Sequence, residues 1–339
     1  MASKPKPISS LLRTDGDAVA IIPFEFFATT SAISEKAKLF ADIGNSRIMP
    51  PTGFQTFISG KHQNDIVRSM GTLEADFLNS CHIAMVPLAD VPLEVGPAME
   101  LLNETNALFK NFCANLWLIR DNCVNTDAGY LMAMTPSGLV IHKNDMQLHF
   151  HDAHGKTGIK ATFSYKEIKQ AASWAFESFT HHVDAAKAAH EEPTSRVKGT
   201  TRTDRCWAWV IEARHQSDVL IKVAMYITGL EALLSTSNSE LSHQLSERVA
   251  LLHGKSTENK AIEKYRQMKK AYSFRSKALH GDAILAKDQE ALLSTSVFLD
   301  DLCRSIMLMV QGDETFREIF KTNESIEKFF IDRLFATPA

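Results

Sequence analysis

Arg275-Ser-Lys-Ala-Leu-His280, followed by Gly281-Asp282, closes a run from about Glu258 to Leu279, and its reading decides the fold of the second half of the chain. Ile262, Tyr265, Met268, Tyr272 and Leu279 recur at near-helical spacing with no Pro or Gly between them, so the run reads as one helix whose apolar stripe they form. Gly281 supplies the left-handed stop expected just past a helix end. Five positions separate Arg275 from His280, about 140° around a helix of 3.6 residues per turn. The two side chains therefore cannot face each other on one straight helix. Either the chain bends, or a second copy completes the pair.

Charge marks the same stretch. Lys255 to His280 holds eight basic residues and two acidic ones, a net of +6 in a chain whose formal charge is −3, so the remainder is −9. Arg266, Lys270 and Lys277 fall on one stripe, and Lys277 is a turn-neighbour of His280. Such a stripe suits the backbone of a polyanion, and these three are candidate polyanion-binding residues. A solvated helix face is the plainer alternative. Ser276 continues the phase of Tyr272 and Leu279, which places a hydroxyl on the apolar stripe four residues before His280, where it can orient that ring. An ordinary bond back to its own helix would satisfy it equally.

Outward from the motif, every long segment is helical. Arg205 to Leu234 reads as helix, with Leu220, Val223, Ile227, Leu230 and Leu234 at spacings of three and four. Leu241 to His253 is shorter and ends at Gly254. Beyond the motif, Leu292, Leu299, Leu302, Ile306 and Met309 mark one more helix, and Glu314 to Phe335 a last one. Residues 205–339 are thus expected to form an all-α bundle. Glu191 to Asp204, with Pro193, Gly199 and few apolar residues, reads as a linker.

Residues 1–190 read as an α+β domain. Ala18 to Phe27 and Cys81 to Pro87 are apolar enough for buried strands, and Glu94 to Arg120 is a helix with Leu101, Leu108, Phe112 and Leu116 on one face. Gly44 to Gly60 reads as loop with a short strand. Tyr130 to Met134, Gly138 to His142 and Met146 to His151 suggest a meander, and Lys166 to Ala189 a helix. Four histidines, His142, His149, His151 and His154, lie close in sequence, and the middle two would share a strand face. They offer a rival centre, a metal-dependent hydrolase site. No HExxH, Walker A, GxGxxG or GxSxG pattern occurs.

Composition excludes little else. Hydrophobic content of 45% suits a globular chain, and no apolar run approaches the ~18 residues that span a membrane. The five cysteines are scattered, odd in number and never in a CxxC pair. That predicts reduced thiols, a cytoplasmic protein and no structural zinc.

An Arg, four to six residues, and a His near a helix end resembles the signature of the HEPN superfamily of ribonucleases and nucleotide-binding domains. The continuation His280-Gly281 is similar to its Apea-like branch. So is the upstream order Ala213-Arg214, Asp218, Lys222, Tyr226, then Leu230-Glu231 and on to Leu234. The resemblance covers about 200–339 and implies a HEPN-like helical domain that dimerises around two motif helices. It implies catalytic roles for Arg275 and His280, supporting roles for Glu231 and Ser276, and no metal or cofactor. By resemblance the chain is a metal-independent endoribonuclease, of a kind that serves as toxin or antiviral defence effector. The alternative within the family is a non-catalytic RNA- or nucleotide-binding regulatory dimer. The expected partners are RNA and a second copy, with no membrane.

Overall fold

The structure is a computed structural model, and it describes residues 12, 17–30, 46–59, 63–91, 94–145, 148–177, 201–253 and 258–335. The chain forms two compact units. Met1–Phe150 and Gly158–Asp184 make the first, and His151–Thr157 and Ala185–Ala339 the second.

The first unit is built on a five-stranded antiparallel sheet in the order β3-β4-β1-β5-β6: Arg47–Met49, His82–Leu88, Ala18–Phe24, Ala128–Thr135 and Gly138–Asp145. All seven residues of β1 are buried, which accounts for its unbroken apolar run. Val19 and Ile21 face a core completed by Phe54, Phe57, Ile66 and Leu78 from three short helices, α1 (Gly53–Ile58), α2 (Gln63–Met70) and α3 (Thr72–Ser80). Phe24, in the alternate phase, meets Phe109 and Phe112 of α4 (Val95–Ile119) at centroid separations of 5.8 and 5.6 Å. β2 (Phe27–Thr29) pairs in parallel with β7 (Ala161–Phe163), and a helix, α5, covers 165–177.

Several expectations change here. Part of the predicted loop before Gly60 is α1, because Phe54, Phe57 and Ile58 are spaced to bury one helical face. The segments α2, α3 and β7 were not anticipated. Residues 148–151 are not strand, so the meander ends with β6. The later part of the expected 166–189 helix and most of the 191–204 linker lie outside the described residues.

The second unit is helical. α6 (Arg202–His215) starts inside the predicted linker, where Thr201 and Asp204 form a capping box. The run expected to continue to Leu234 breaks at Gln216-Ser217-Asp218. Asp218 then caps α7 (Val219–Leu234) by accepting from the Leu220 and Ile221 amides. α8 (Leu241–His253), α9 (Glu258–His280) and α10 (Gln289–Gly312) follow. The last predicted helix is divided into α11 (Glu314–Ile319) and α12 (Asn323–Leu334), since Thr322 and Ser325 form a second capping box.

His151–Thr157 is stitched into this unit. The His151 amide donates to the Arg214 carbonyl at 2.7 Å, and Ser296 Oγ to the Ala153 carbonyl at 2.5 Å. Gly155 has φ +73°, and a Cβ there would lie 2.2 Å from the Ser217 carbonyl oxygen, so the strap requires glycine.

α9 runs unbroken through His280 and ends in a Schellman motif. Gly281 has φ +73°, its amide donates to the Ala278 carbonyl, and the Asp282 amide to that of Lys277. The buried face, however, matches the predicted stripe fully only at Met268, with Tyr265 and Tyr272 partly buried. Met268, Ala271 and Phe274 are buried, while Ile262 and Leu279 are 41% and 65% exposed. Leu279 lies a turn past the last packed layer, and Ile262 is about 120° or more from the buried three.

Candidate functional site

Glu231 on α7 joins two residues of α9 through one carboxylate. Its Oε2 lies 2.9 Å from Arg275 Nη2, and its Oε1 accepts from the Tyr272 hydroxyl at 2.6 Å. The guanidinium also sits over the Tyr272 ring, 5.2 Å from its centroid. Spacing explains the arrangement, because positions 272 and 275 are neighbours on one helical face. Burial, and then the bond to Glu231, push the Tyr272 hydroxyl up to about 12, so it remains a neutral donor. Arg275 Nε makes no hydrogen bond.

Two clefts flank this triad. Glu231 borders one of about 570 Å³, together with Arg202, Arg205, Thr228, Ser235 and Asn238. Tyr272 borders the other, about 680 Å³, with His243, Lys269 and Leu241. The hydroxyl-rich, basic lining of the first and the ring-rich lining of the second suit anionic and stacking ligands.

The predicted site residues divide between two faces. Arg275 points toward Glu231 and is 21% exposed along its side chain. His280 is exposed at the end of α9. It shares an ~80° sector with Arg266, Lys270 and Lys277, so the stripe and the imidazole lie together and Arg275 does not join them. Lys277 is tied to Asp288 at 3.3 Å, whereas Arg266 and Lys270 are exposed. Ser276 is exposed as well, a correction that follows from the displaced buried face. Tyr272 was read from sequence as an apolar stripe residue. The signal for its role is its i, i+3 spacing to Arg275.

The upstream residues stabilise the helices. Arg214, Lys222 and Tyr226 are fully buried, and the Tyr226 hydroxyl donates to Asp300 Oδ1 at 2.7 Å. Arg304 pairs with the other Asp300 oxygen at 2.9 Å. Burial first, then Asp300, hold the Tyr226 phenol well above its ordinary range.

The four clustered histidines do not converge. His142 lies on β6 opposite Leu131, and His151 and His154 belong to the strap of the second unit. His149 instead meets Glu25 and Asp127 in the first unit, with one donor atom from each lying within 4.8 Å of the others. Burial, and then Asp127, push the Glu25 carboxyl up to about 7, and burial also raises Asp127.

The chain matches no family model, no curated protein and no solved structure. Among the described residues, no helix is long and apolar enough to cross a membrane.

Proposed function

We propose that the chain is a metal-independent endoribonuclease resembling the Apea-like HEPN branch, its site completed by a second copy. The observation that carries this reading is the separation of Arg275 from His280 on one unbroken helix. A break in the helix would let them cooperate within a chain, and α9 is continuous from Glu258 to His280. Two α9 helices meeting around a two-fold axis bring the Arg275 of each chain toward the His280 of the other. Leu279, a large exposed apolar side chain beside His280, suits such a contact.

In this arrangement one imidazole takes the proton of a ribose 2′-OH while its oxygen attacks the adjacent phosphorus. The 5′-oxygen bond breaks, and a second imidazole returns a proton to the leaving oxygen. The products are a 2′,3′-cyclic phosphate and a 5′-hydroxyl. Arg275 binds the phosphate and stabilises the charge that builds on it. Glu231 and Tyr272 act as positioning residues that fix the guanidinium. The exposed Arg266 and Lys270, with Lys277, hold the flanking backbone. A role as toxin or antiviral defence effector goes with the resemblance, as does a cytoplasmic location.

One observation favours the alternative, a non-catalytic RNA- or nucleotide-binding dimer. Glu231 already engages Arg275, as an ion pair that merely holds two helices together would. Assaying Arg275→Ala and His280→Ala chains separately for RNA cleavage separates the readings. Loss of cleavage in both, with fold and dimer intact, supports the shared site. An Arg275→Ala chain that still cleaves, or a wild-type chain that never does, supports the alternative.

A further inference from the structure

We propose that Glu25, Asp127 and His149 form a binding site for a first-row divalent cation such as Zn²⁺, held wholly within the first unit. Carboxylates with an imidazole are the donors such borderline ions take. The spacing fits as well. Donor atoms around a tetrahedral zinc with bonds near ~2.1 Å lie about 3.4 Å apart. His149 Nδ1 and Asp127 Oδ2 are already 3.2 Å apart. The full set spans at most 4.8 Å, so a small side-chain movement closes it on an ion.

The donors are also held in place from outside. Asn125, 1% exposed, is arranged to aim the donors. Its backbone bridges that of Glu25, with the Glu25 amide donating to the Asn125 carbonyl at 2.9 Å, which fixes where Glu25 leaves the strand. Its carboxamide nitrogen donates to Asp127 Oδ1, leaving Oδ2 toward His149. Lys110 Nζ in turn donates to Asn125 Oδ1 at 2.5 Å and sets the orientation of the carboxamide. A buried side chain that occupies one carboxylate oxygen and releases the other is the outer support that metal-binding carboxylates require. His149 is about half exposed, so solvent reaches the site and three protein ligands leave a position open for water.

The test uses the full chain, stripped with chelator and titrated with Zn²⁺ by calorimetry. One equivalent should bind and raise the melting temperature. Asp127→Asn and His149→Ala should each weaken binding at least about tenfold, and Asn125→Ala about 10- to 100-fold. His154→Ala, on the strap, should bind as the wild type does. Because His149 is exposed, its loss leaves the fold intact, as circular dichroism would verify even where Asp127→Asn failed to fold. No saturable binding, or binding unchanged in His149→Ala, would overturn the proposal. RNA cleavage by the second unit is a separate readout, so failure of either reading leaves the other standing.

Discussion

Glu231 is the residue on which the helical site turns, because its two oxygens serve two partners. Replacing it by Gln removes the charge opposite a partly buried guanidinium and weakens the bond from Tyr272. We expect a loss of about 1–3 kcal/mol, read as a lower urea midpoint, against about 1 kcal/mol for Tyr272→Phe. The double variant should lose less than the sum, since both changes act on one carboxylate. Additive losses would mean that the triad is not coupled. In the first unit, burial holds His82 neutral, with its pKa lowered from 6.5 to about 4, and Nδ1 makes no hydrogen bond. A depressed folded value means the contribution is complete above 6.5 and is lost as pH falls toward 4. Denaturation monitored at pH 7 and pH 4.5 should therefore show a steeper acid loss in the wild type than in His82→Leu. Equal acid limbs would show that His82 takes up its proton without opposing the fold.

At the scale of elements, the ends of helices were readable where their chemistry is local. Gly281 announces the end of α9, and the structure gives it φ +73°. Gly281→Ala should cost about 1–2 kcal/mol in thermal or urea denaturation, since a Cβ is unfavourable there. Asp218→Ala should cost about 1 kcal/mol through loss of the cap on α7. A change below a few tenths at either position would show that the terminus is held by packing alone. The division at residues 216–218 was missed because the apolar spacing of α7 was extended backward into α6, although Asp218 carries a capping signal. The Thr201–Asp204 box was likewise legible, but lay hidden in a polar stretch. Which stripe of α9 is buried could not be read from its own residues. Tyr272 and Arg275 are partly covered because Glu231 lies opposite, and that partner is 41 or more positions away.

At the scale of the whole molecule, the helical second part and the mixed helix-and-strand character of the first were legible, whereas the five-strand order with β1 at its centre was not. β1 is apolar throughout and α4 is strongly periodic, and each is locally unambiguous. The cluster of Glu25, Asp127 and His149 was not, because sheet pairing brings together residues that sequence alone sets far apart. The same limit hid the transfer of His151–Thr157 to the helical unit, which divides the four histidines. The 339-residue chain is predicted to be a dimer by light scattering, with Leu279→Glu shifting it toward monomer and reducing RNA cleavage in step. A monomeric wild type at micromolar concentration would remove the shared site.

The most direct measurement is end-group analysis of RNA incubated with the full chain in excess EDTA. Beside it run the same RNA with one deoxyribose at the cut position and the His280→Ala chain. The account predicts 2′,3′-cyclic phosphate and 5′-hydroxyl ends from the RNA, because the 2′-OH is the nucleophile, and no cut at the deoxyribose or with His280→Ala. Cleavage at the deoxyribose, or activity that vanishes with EDTA and returns with added Mg²⁺ or Zn²⁺, would contradict it.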